Sequence, residues 1–173
     1  MTRLAVVYYS SKGTIDTLAR RCADTAERLG AEVRLRHVHE LAPLQAINAD
    51  ERWRAHVEAT ADEPPASVDD VLWADAVLLG TPTRFGNLAG QLMAFLESLG
   101  PQWREGLLAH KVYAGFTASA SGPSQECTLL SLYTTIHHFG GVVVTPSSLE
   151  HELGLDELTE RVLAVAHALE DAA

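Results

Sequence analysis

Cysteines and long apolar runs are scarce in this sequence of 173 residues, which has two cysteines, Cys22 and Cys127. Neither lies at metal-ligand spacing, so no disulfide framework or zinc site is predicted, and a reduced cytoplasmic protein is the simplest interpretation. No segment approaches the roughly 20 apolar residues of a membrane span. The apolar run at 4–9 is too short for a signal peptide, so we expect a soluble cytoplasmic protein without a membrane partner.

Positive charge is also in short supply. The chain has 13 Lys and Arg residues against 23 Asp and Glu residues, a formal net charge of −10. An acidic protein without a basic cluster repels phosphate backbones, so nucleic acid is not an expected partner. The composition, 47% hydrophobic and 21% charged, excludes the disordered and fibrous classes. A chain of this length buries roughly 70% of its unfolded surface, which predicts a single domain over 1–173.

Apolar, β-prone runs alternate with segments whose apolar residues recur at helical spacing. The predicted strands cover 4–9, 32–38, 75–80, 111–117 and 142–144. The predicted helices cover 15–29, 88–99, 129–137 and 155–169, with a less regular pattern at 47–59. Charged residues at alternate positions of the second strand indicate a sheet edge. The alternation predicts an α/β fold, a doubly wound five-stranded parallel sheet with helices on both faces.

The loop after the first predicted strand has the composition of an anion site. It reads Ser10-Ser11-Lys12-Gly13-Thr14-Ile15 and leads into a helix, where backbone N–H groups, hydroxyls and the helix dipole converge. Neither G-x-G-x-x-G nor G-x-x-x-x-G-K-[ST] is present, which excludes the dinucleotide fingerprint and the Walker loop. An ordinary capped turn between a strand and a helix has the same composition.

Two more loops follow predicted strands at the carboxyl edge of the sheet, where such folds bind ligands. In Thr81 to Asn87, the Arg84 guanidinium would need an acceptor such as the carbonyl edge of a planar ligand, although a solvated arginine beside a packing Phe85 is the alternative. The loop from Ala118 to Ser124 is almost entirely small residues, which let backbone amides approach a flat ligand. A flexible surface loop is its alternative.

The histidines do not predict a metal site. His37 and His39 alternate on a predicted strand, while His137 and His138 diverge by about 100° on a helix. No carboxylate or cysteine completes a ligand set at short spacing, so no metal is expected.

The run from Gly80 to Asn87, G-T-P-T-R-F-G-N, resembles the flavin loop of the WrbA-type NAD(P)H:quinone oxidoreductases, which are FMN enzymes of the flavodoxin-like fold. The resemblance continues in Y-Y-S-x-x-G at 8–13, in G-Q-x-x-x-F-L at 90–96 and in the helix at 125–138, which begins Q-E and ends T-T-x-x-H. It places all three loops in register. It implies transfer of two electrons from NADH or NADPH to a quinone or similar planar acceptor, by a homodimer or homotetramer.

The resemblance also implies a role for each loop. The FMN phosphate would be wrapped by Ser10, Ser11, Lys12, Gly13, Thr14 and Ile15. The isoalloxazine would be flanked by Thr83, Arg84 and Phe85, with Asn87 close by. Its pyrimidine edge would be followed by Ala118, Ser119, Ala120, Ser121, Gly122 and Pro123. His138 would reach the flavin as the candidate catalytic proton donor, and Trp103 would line the substrate pocket.

The sequence departs from the family pattern at three places. Ala120, Pro123 and Ser124 stand at glycine positions, and Pro123 removes a backbone donor. Lys12 stands where the family has an aromatic residue beside the nicotinamide. After the fifth predicted strand, Pro146 leads within a few residues to the last helix, where the family has a long glycine-rich segment. We therefore expect a pocket that is more open, or that another part of the chain or a partner subunit completes.

Three other functions stay open at this point. The first is a flavodoxin-like FMN electron carrier, whose docking on a redox partner would suit the acidity of the chain. The second is a flavoenzyme specialised for a biosynthetic redox step. The third is a fold without cofactor that serves as an interaction module.

Overall fold

The computed structural model describes residues 1–118, 124–145 and 153–172. Its strands are β1 (Arg3–Tyr8), β2 (Glu32–His37), β3 (Ala76–Pro82), β4 (Val112–Ala118) and β5 (Val142–Val143). They form a five-stranded sheet of order β2-β1-β3-β4-β5, in which every neighbouring pair is parallel. The predicted sheet is confirmed, and β2 lies at its edge as the charged alternate positions predict.

Eight helices connect or flank the strands in the described residues. They are α1 (Thr14–Arg28), α2 (Leu44–Asn48), α3 (Glu51–Ala59), α4 (Val68–Trp73), α5 (Gly90–Ser98), α6 (Gly100–Arg104), α7 (Ser124–Phe139) and α8 (Leu153–Asp171). In these parts of the chain, no helix has both the length and the apolar character needed to cross a membrane.

The structure corrects the single helix predicted over 47–59. The chain forms α2 and α3 there, with Asp50 between them. The Asp50 carboxylate accepts a hydrogen bond from the Trp53 N–H at 3.1 Å and so caps α3, which favours a new helix start over a continuous helix. Gly100 and Pro101, directly after the helix predicted over 88–99, begin the further helix α6, since proline in the first helical turn loses no intrahelical hydrogen bond.

Apolar side chains alternate along β1 between two cores on opposite faces of the sheet. Leu4, Val6 and Tyr8 pack with residues of α1 and α8. Ala5 and Val7 pack on the other face with residues of α4, α5 and α7. Both faces of the sheet are therefore covered, as the continuous apolar run of β1 predicts.

The strand order places a crevice at the carboxyl ends of β1 and β3. The chain moves from β1 outward to β2, then crosses back to β3 on the other side of β1. The connections after β1 and β3 therefore leave the sheet on opposite faces and open a crevice between them, which is where folds of this order bind ligands.

Candidate functional site

A cleft of about 550 Å³ lies at the carboxyl ends of β1, β3 and β4. Its volume is within the roughly 300–1,000 Å³ that small-molecule sites occupy. The first loop supplies most of its lining, and the remainder comes from the ends of β3 and β4 and from the loop after β3. The lining residues are Ser10, Ser11, Lys12, Thr14, Ile15, Pro82, Arg84 and Ala118.

The first loop presents an uncapped helix start to this cleft. Gly13 is the N-cap of α1, in the left-handed conformation with φ 90° and ψ −12°, and no side chain of the described residues caps the helix. The Gly13 N–H donates to the Ser10 hydroxyl oxygen at 3.1 Å, which tightens the turn. The N–H groups of the first turn of α1 have no intrahelical acceptor, so this end of the helix can bind an anion.

The charged residues near this turn do not oppose the binding of an anion. Asp16, in the first turn of α1, accepts hydrogen bonds from the Tyr8 hydroxyl at 2.5 Å and from Arg20 at 3.1 Å, so Arg20 offsets its charge. Burial raises the pKa of Tyr8 far above its ordinary value, and the hydrogen bond to Asp16 raises it further, so the phenol stays a donor. Lys12 forms an ion pair with Asp50, and this contact lowers the pKa of Asp50.

The second loop is a tight turn with an aromatic residue at its tip. The backbones of Arg84 and Asn87 exchange two hydrogen bonds of 2.9 Å. The residues between them, Phe85 and Gly86, have φ of 52° and 77°, as in a type I′ turn. A positive φ is strained for phenylalanine, and its side chain is fully exposed. The turn therefore holds an apolar ring in solvent, one residue beyond the cleft.

The second loop is held against α7 and α5 by threonine hydroxyls. The Thr83 hydroxyl contacts the Thr128 hydroxyl at 2.5 Å and donates to the Ser124 carbonyl at 3.1 Å. The buried Thr81 hydroxyl accepts from the Ala89 N–H at 3.0 Å. The Thr83 hydroxyl is thus occupied by α7, so this residue braces the loop.

A guanidinium joins the two loops. Arg84 Nη2 donates to the Ser11 hydroxyl at 3.2 Å, and Arg84 Nη1 donates to the Thr83 carbonyl at 3.3 Å. Arg84 is exposed on its outer side, yet it is not the freely solvated arginine that the sequence left open. It connects the anion-binding turn to the turn that carries Phe85.

The third predicted loop is described only at its ends. Ala118 is the last residue of β4 and lines the cleft. Ser124 is the first residue of α7. The predicted contacts of Ser119, Ala120, Ser121, Gly122 and Pro123 lie outside the described residues. Asn87 lies in the second loop, where its side-chain oxygen is 3.5 Å from the Ser131 hydroxyl.

The structure places His138 and Trp103 together, but far from this cleft. Helix α7 begins beside the carboxyl end of β4 and runs back along the sheet, so that His138 in its last turn lies about 21 Å along the helix from Ser124. The Trp103 indole N–H donates to the His138 carbonyl at 2.7 Å. Both residues therefore lie at the amino edge of the sheet, and a single chain does not bring them to its own cleft.

The ring of His37 contacts backbone carbonyls. The two ring nitrogens of His37 lie 3.2 Å from the carbonyls of Val38 and Glu63. Across residues 1–118, 124–145 and 153–172, no three His, Cys, Asp or Glu side chains are grouped as a metal ion requires.

Sequence analysis missed a half-buried carboxylate near the first loop of the cleft. Glu40, just beyond the carboxyl end of β2, accepts hydrogen bonds from the side chain of Tyr9, which follows β1, and from side chains of α3 and α5. The one available signal was an acidic residue shortly after a predicted strand, and many exposed residues share it. The partners of Glu40 become visible only in the folded chain.

Comparison with known proteins agrees with this geometry. The family model described as NADPH-dependent FMN reductase matches residues 2–152. A Deinococcus radiodurans protein named NAD(P)H dehydrogenase (quinone) is 41% identical over 145 residues, which are 83% of this chain and 72% of that protein. A Rhizobium meliloti protein, NAD(P)H dehydrogenase (quinone) 3, is 40% identical over 161 residues, 92% of this chain and 74% of that protein.

Solved structures show the same fold. A WrbA-like flavodoxin of Agrobacterium tumefaciens superposes with a TM-score of 0.68 at 22% identity, over 99% of each chain. A short-chain flavodoxin associated with a bacterial microcompartment superposes with a TM-score of 0.64 at 17% identity, over 96% of this chain and 99% of that one. The predicted flavodoxin-like fold is confirmed, and together with the sequence matches these findings show that the chain belongs to the NADPH-dependent FMN reductase family.

Proposed function

We propose that this protein is an FMN-dependent oxidoreductase that transfers two electrons from NADH or NADPH to a quinone or a similar planar acceptor. The family match and the quinone dehydrogenase names of its relatives support the proposal. The observation that carries it is the cleft itself, where an uncapped helix start and an exposed aromatic turn meet at the reversal of strand order.

The residues of the cleft fit FMN. A phosphate would be held at the start of α1, where first-turn N–H groups and the hydroxyls of Ser10, Ser11 and Thr14 would be the donors. The ring system would lie beside the turn at 83–87, in the part of the cleft that Ala118 also lines. Bound FMN supplies two-electron chemistry between a nicotinamide and a second acceptor.

The side chains of this protein would then position the bound FMN and select the molecules that react with it. Arg84 joins the two loops through Ser11, and its remaining N–H groups would be available as donors to the acceptors of a planar ligand. Phe85 offers a flat apolar face for stacking. Because Lys12 pairs with Asp50, it is held on the α3 side of the loop. Nicotinamide and acceptor would use the same space in turn.

Turnover with a small quinone tests this proposal. We expect steady anaerobic NAD(P)H oxidation when 1,4-benzoquinone is added to the FMN-loaded protein, with no protein partner present. The cofactor-free protein is the control. Binding of FMN without turnover would indicate an electron carrier instead, and a protein that gains no FMN absorbance would indicate an interaction module.

We also propose a cytoplasmic homodimer or homotetramer in which His138 and Trp103 of the partner subunit reach the cleft. Trp103 is half exposed, and His138 lies at the edge opposite its own cleft, which supports a role between copies. The two free thiols, Cys22 and Cys127, are typical of a reducing compartment.

Replacing His138 tests its role as proton donor. We expect His138→Ala to lower kcat by roughly tenfold or more and to change the pH profile of kcat. Unchanged kcat and pH profile, or a monomer by light scattering, would contradict this arrangement.

A further inference from the structure

Glu40 collects five hydrogen bonds beside the cofactor cleft. Its Oε2 accepts from the Tyr9 hydroxyl and from the Trp53 indole N–H, both at 2.9 Å. Its Oε1 accepts from Gln91 Nε2 at 2.8 Å and from the backbone N–H groups of Leu41 at 2.8 Å and Ala42 at 2.9 Å. Gln91 Nε2 also lies 3.0 Å from the Tyr9 hydroxyl, which closes the network. We call Glu40, Tyr9, Trp53 and Gln91 the Glu40 network.

The donors of this network come from segments that carry the two loops of the cleft. Tyr9 directly precedes Ser10, where the first loop begins. Gln91 is the second residue of α5, which follows the turn at 83–87. Trp53 belongs to α3, whose capping residue Asp50 pairs with Lys12 of the first loop. Glu40 is therefore linked to both loops indirectly, through Tyr9 beside the first loop and Gln91 beyond the second, and its own hydrogen bonds go to neither loop.

The carboxylate is held in its charged form. Burial opposes ionisation, but the hydrogen bonds from Ala42, Gln91, Trp53 and Tyr9 outweigh it and keep the pKa of Glu40 below its ordinary value. A glutamine amide at position 40 would offer one oxygen acceptor where the carboxylate offers two, and its own N–H groups would face some of these donors.

We propose that Glu40 is the positioning residue of the FMN cleft, setting the spacing between the phosphate-binding turn at 10–15 and the ring-binding turn at 83–87. This inference rests on the proposed binding of FMN in the cleft. The affinity for a ligand that contacts both turns depends on the spacing between them. The affinity for a ligand that contacts only one turn does not. Glu40 thus controls affinity for the whole cofactor more than affinity for its parts.

The test compares FMN with lumiflavin, which has the ring system but no ribityl phosphate. In Glu40→Gln we expect the Kd for FMN to rise roughly 10- to 100-fold, as for the loss of hydrogen bonds to a charged group. The Kd for lumiflavin should change less than about threefold, because the ring subsite itself is intact. Both are measured by fluorescence titration of cofactor-free protein, with circular dichroism to verify folding.

Asp70→Asn is the matched control. Asp70 is a buried carboxylate with several donors, from Ser67, Arg34 and Arg36, but it completes the capping box of α4 with Ser67, and none of these partners lines the cleft. We expect this variant to lose stability with no change in the ratio of the FMN and lumiflavin Kd values. Tyr9→Phe removes a single donor to Glu40 and is expected to weaken FMN binding about two- to fivefold, again with little effect on lumiflavin.

The outcomes separate the two proposals. If the unaltered protein does not bind FMN, the proposed function fails. If it binds FMN and Glu40→Gln binds equally well, or if Glu40→Gln weakens FMN and lumiflavin in equal proportion, Glu40 does not set the spacing. If Glu40→Gln does not fold, the FMN to lumiflavin ratio of Tyr9→Phe decides, since an unchanged ratio there overturns the inference.

Discussion

Valine in place of Gly13 weakens FMN binding by roughly 10- to 100-fold while the protein stays folded. Gly13 has φ 90° and ψ −12° at the start of α1. That conformation costs an L residue about 1–2 kcal/mol and a β-branched residue more. A Cβ there would lie 3.7 Å from His56 Nδ1, an ordinary contact, so backbone strain and not a clash is the cause. Relief of the strain moves the N–H groups that face the phosphate, and fluorescence titration of cofactor-free protein measures the loss.

Gly30→Val is the matched control for this result. Gly30 follows the other end of the same helix and has a similar φ of 84°, with open space around its Cβ position. The backbone strain is therefore alike, but the cleft is remote. We expect a comparable loss of stability with an unchanged Kd for FMN. A Gly13→Val protein that bound FMN as tightly as the unaltered chain would show that the phosphate does not lie at this turn.

Alanine in place of Gly80 lowers the free energy of unfolding by about 1–3 kcal/mol or more, because it overpacks the core. Gly80 lies in β3 between Tyr8 of β1 and Phe116 of β4. A Cβ there would lie 2.4 and 2.6 Å from two ring carbons of Phe116 and 2.9 Å from the Tyr8 Cβ. Phe116 is buried against α1, so its ring has little room to move. Urea unfolding of the cofactor-free protein measures the change.

Gly90→Ala makes the same chemical change where space is free. A Cβ at Gly90, the first residue of α5, meets no atom within 4 Å. We expect stability that is unchanged or slightly increased, since alanine restricts the unfolded chain more than glycine does. Equal stability of Gly80→Ala and the unaltered protein would contradict the packing of Phe116 over β3.

Strands β1, β3 and β4 were predictable because each is a continuous apolar run that packs on both faces of the sheet, and β2 because its charged and apolar residues alternate. The elements that sequence analysis missed are short. Helices α4 and α6 have six and five residues, too few to show a helical period. The break between α2 and α3 depends on a single cap at Asp50, which a periodic pattern over 47–59 does not reveal.

The site was predictable as composition and not as geometry. Small polar residues and a glycine before a helix indicate an anion site, and the structure places Ser10, Ser11, Lys12, Thr14 and Ile15 in the cleft. The contact between Arg84 and Ser11 joins residues 73 positions apart, so no local pattern contains it. The positive φ of Phe85 likewise follows from the two hydrogen bonds that close its turn.

The amino-acid sequence alone determined the α/β fold and the loops at the carboxyl edge of the sheet. Buried strands and helices produce recognisable patterns of apolar residues, and the loops between them are rich in small polar residues and glycine. Tertiary structure decided the rest. It set Glu40 among donors from Tyr9, directly after β1, and from α3 and α5. It also carried His138 to the far edge, since α7 runs antiparallel to β4 for 16 residues. Where these residues lie relative to the cleft depends on the direction in which each helix and strand crosses the sheet. The residue types of a local segment do not encode that direction.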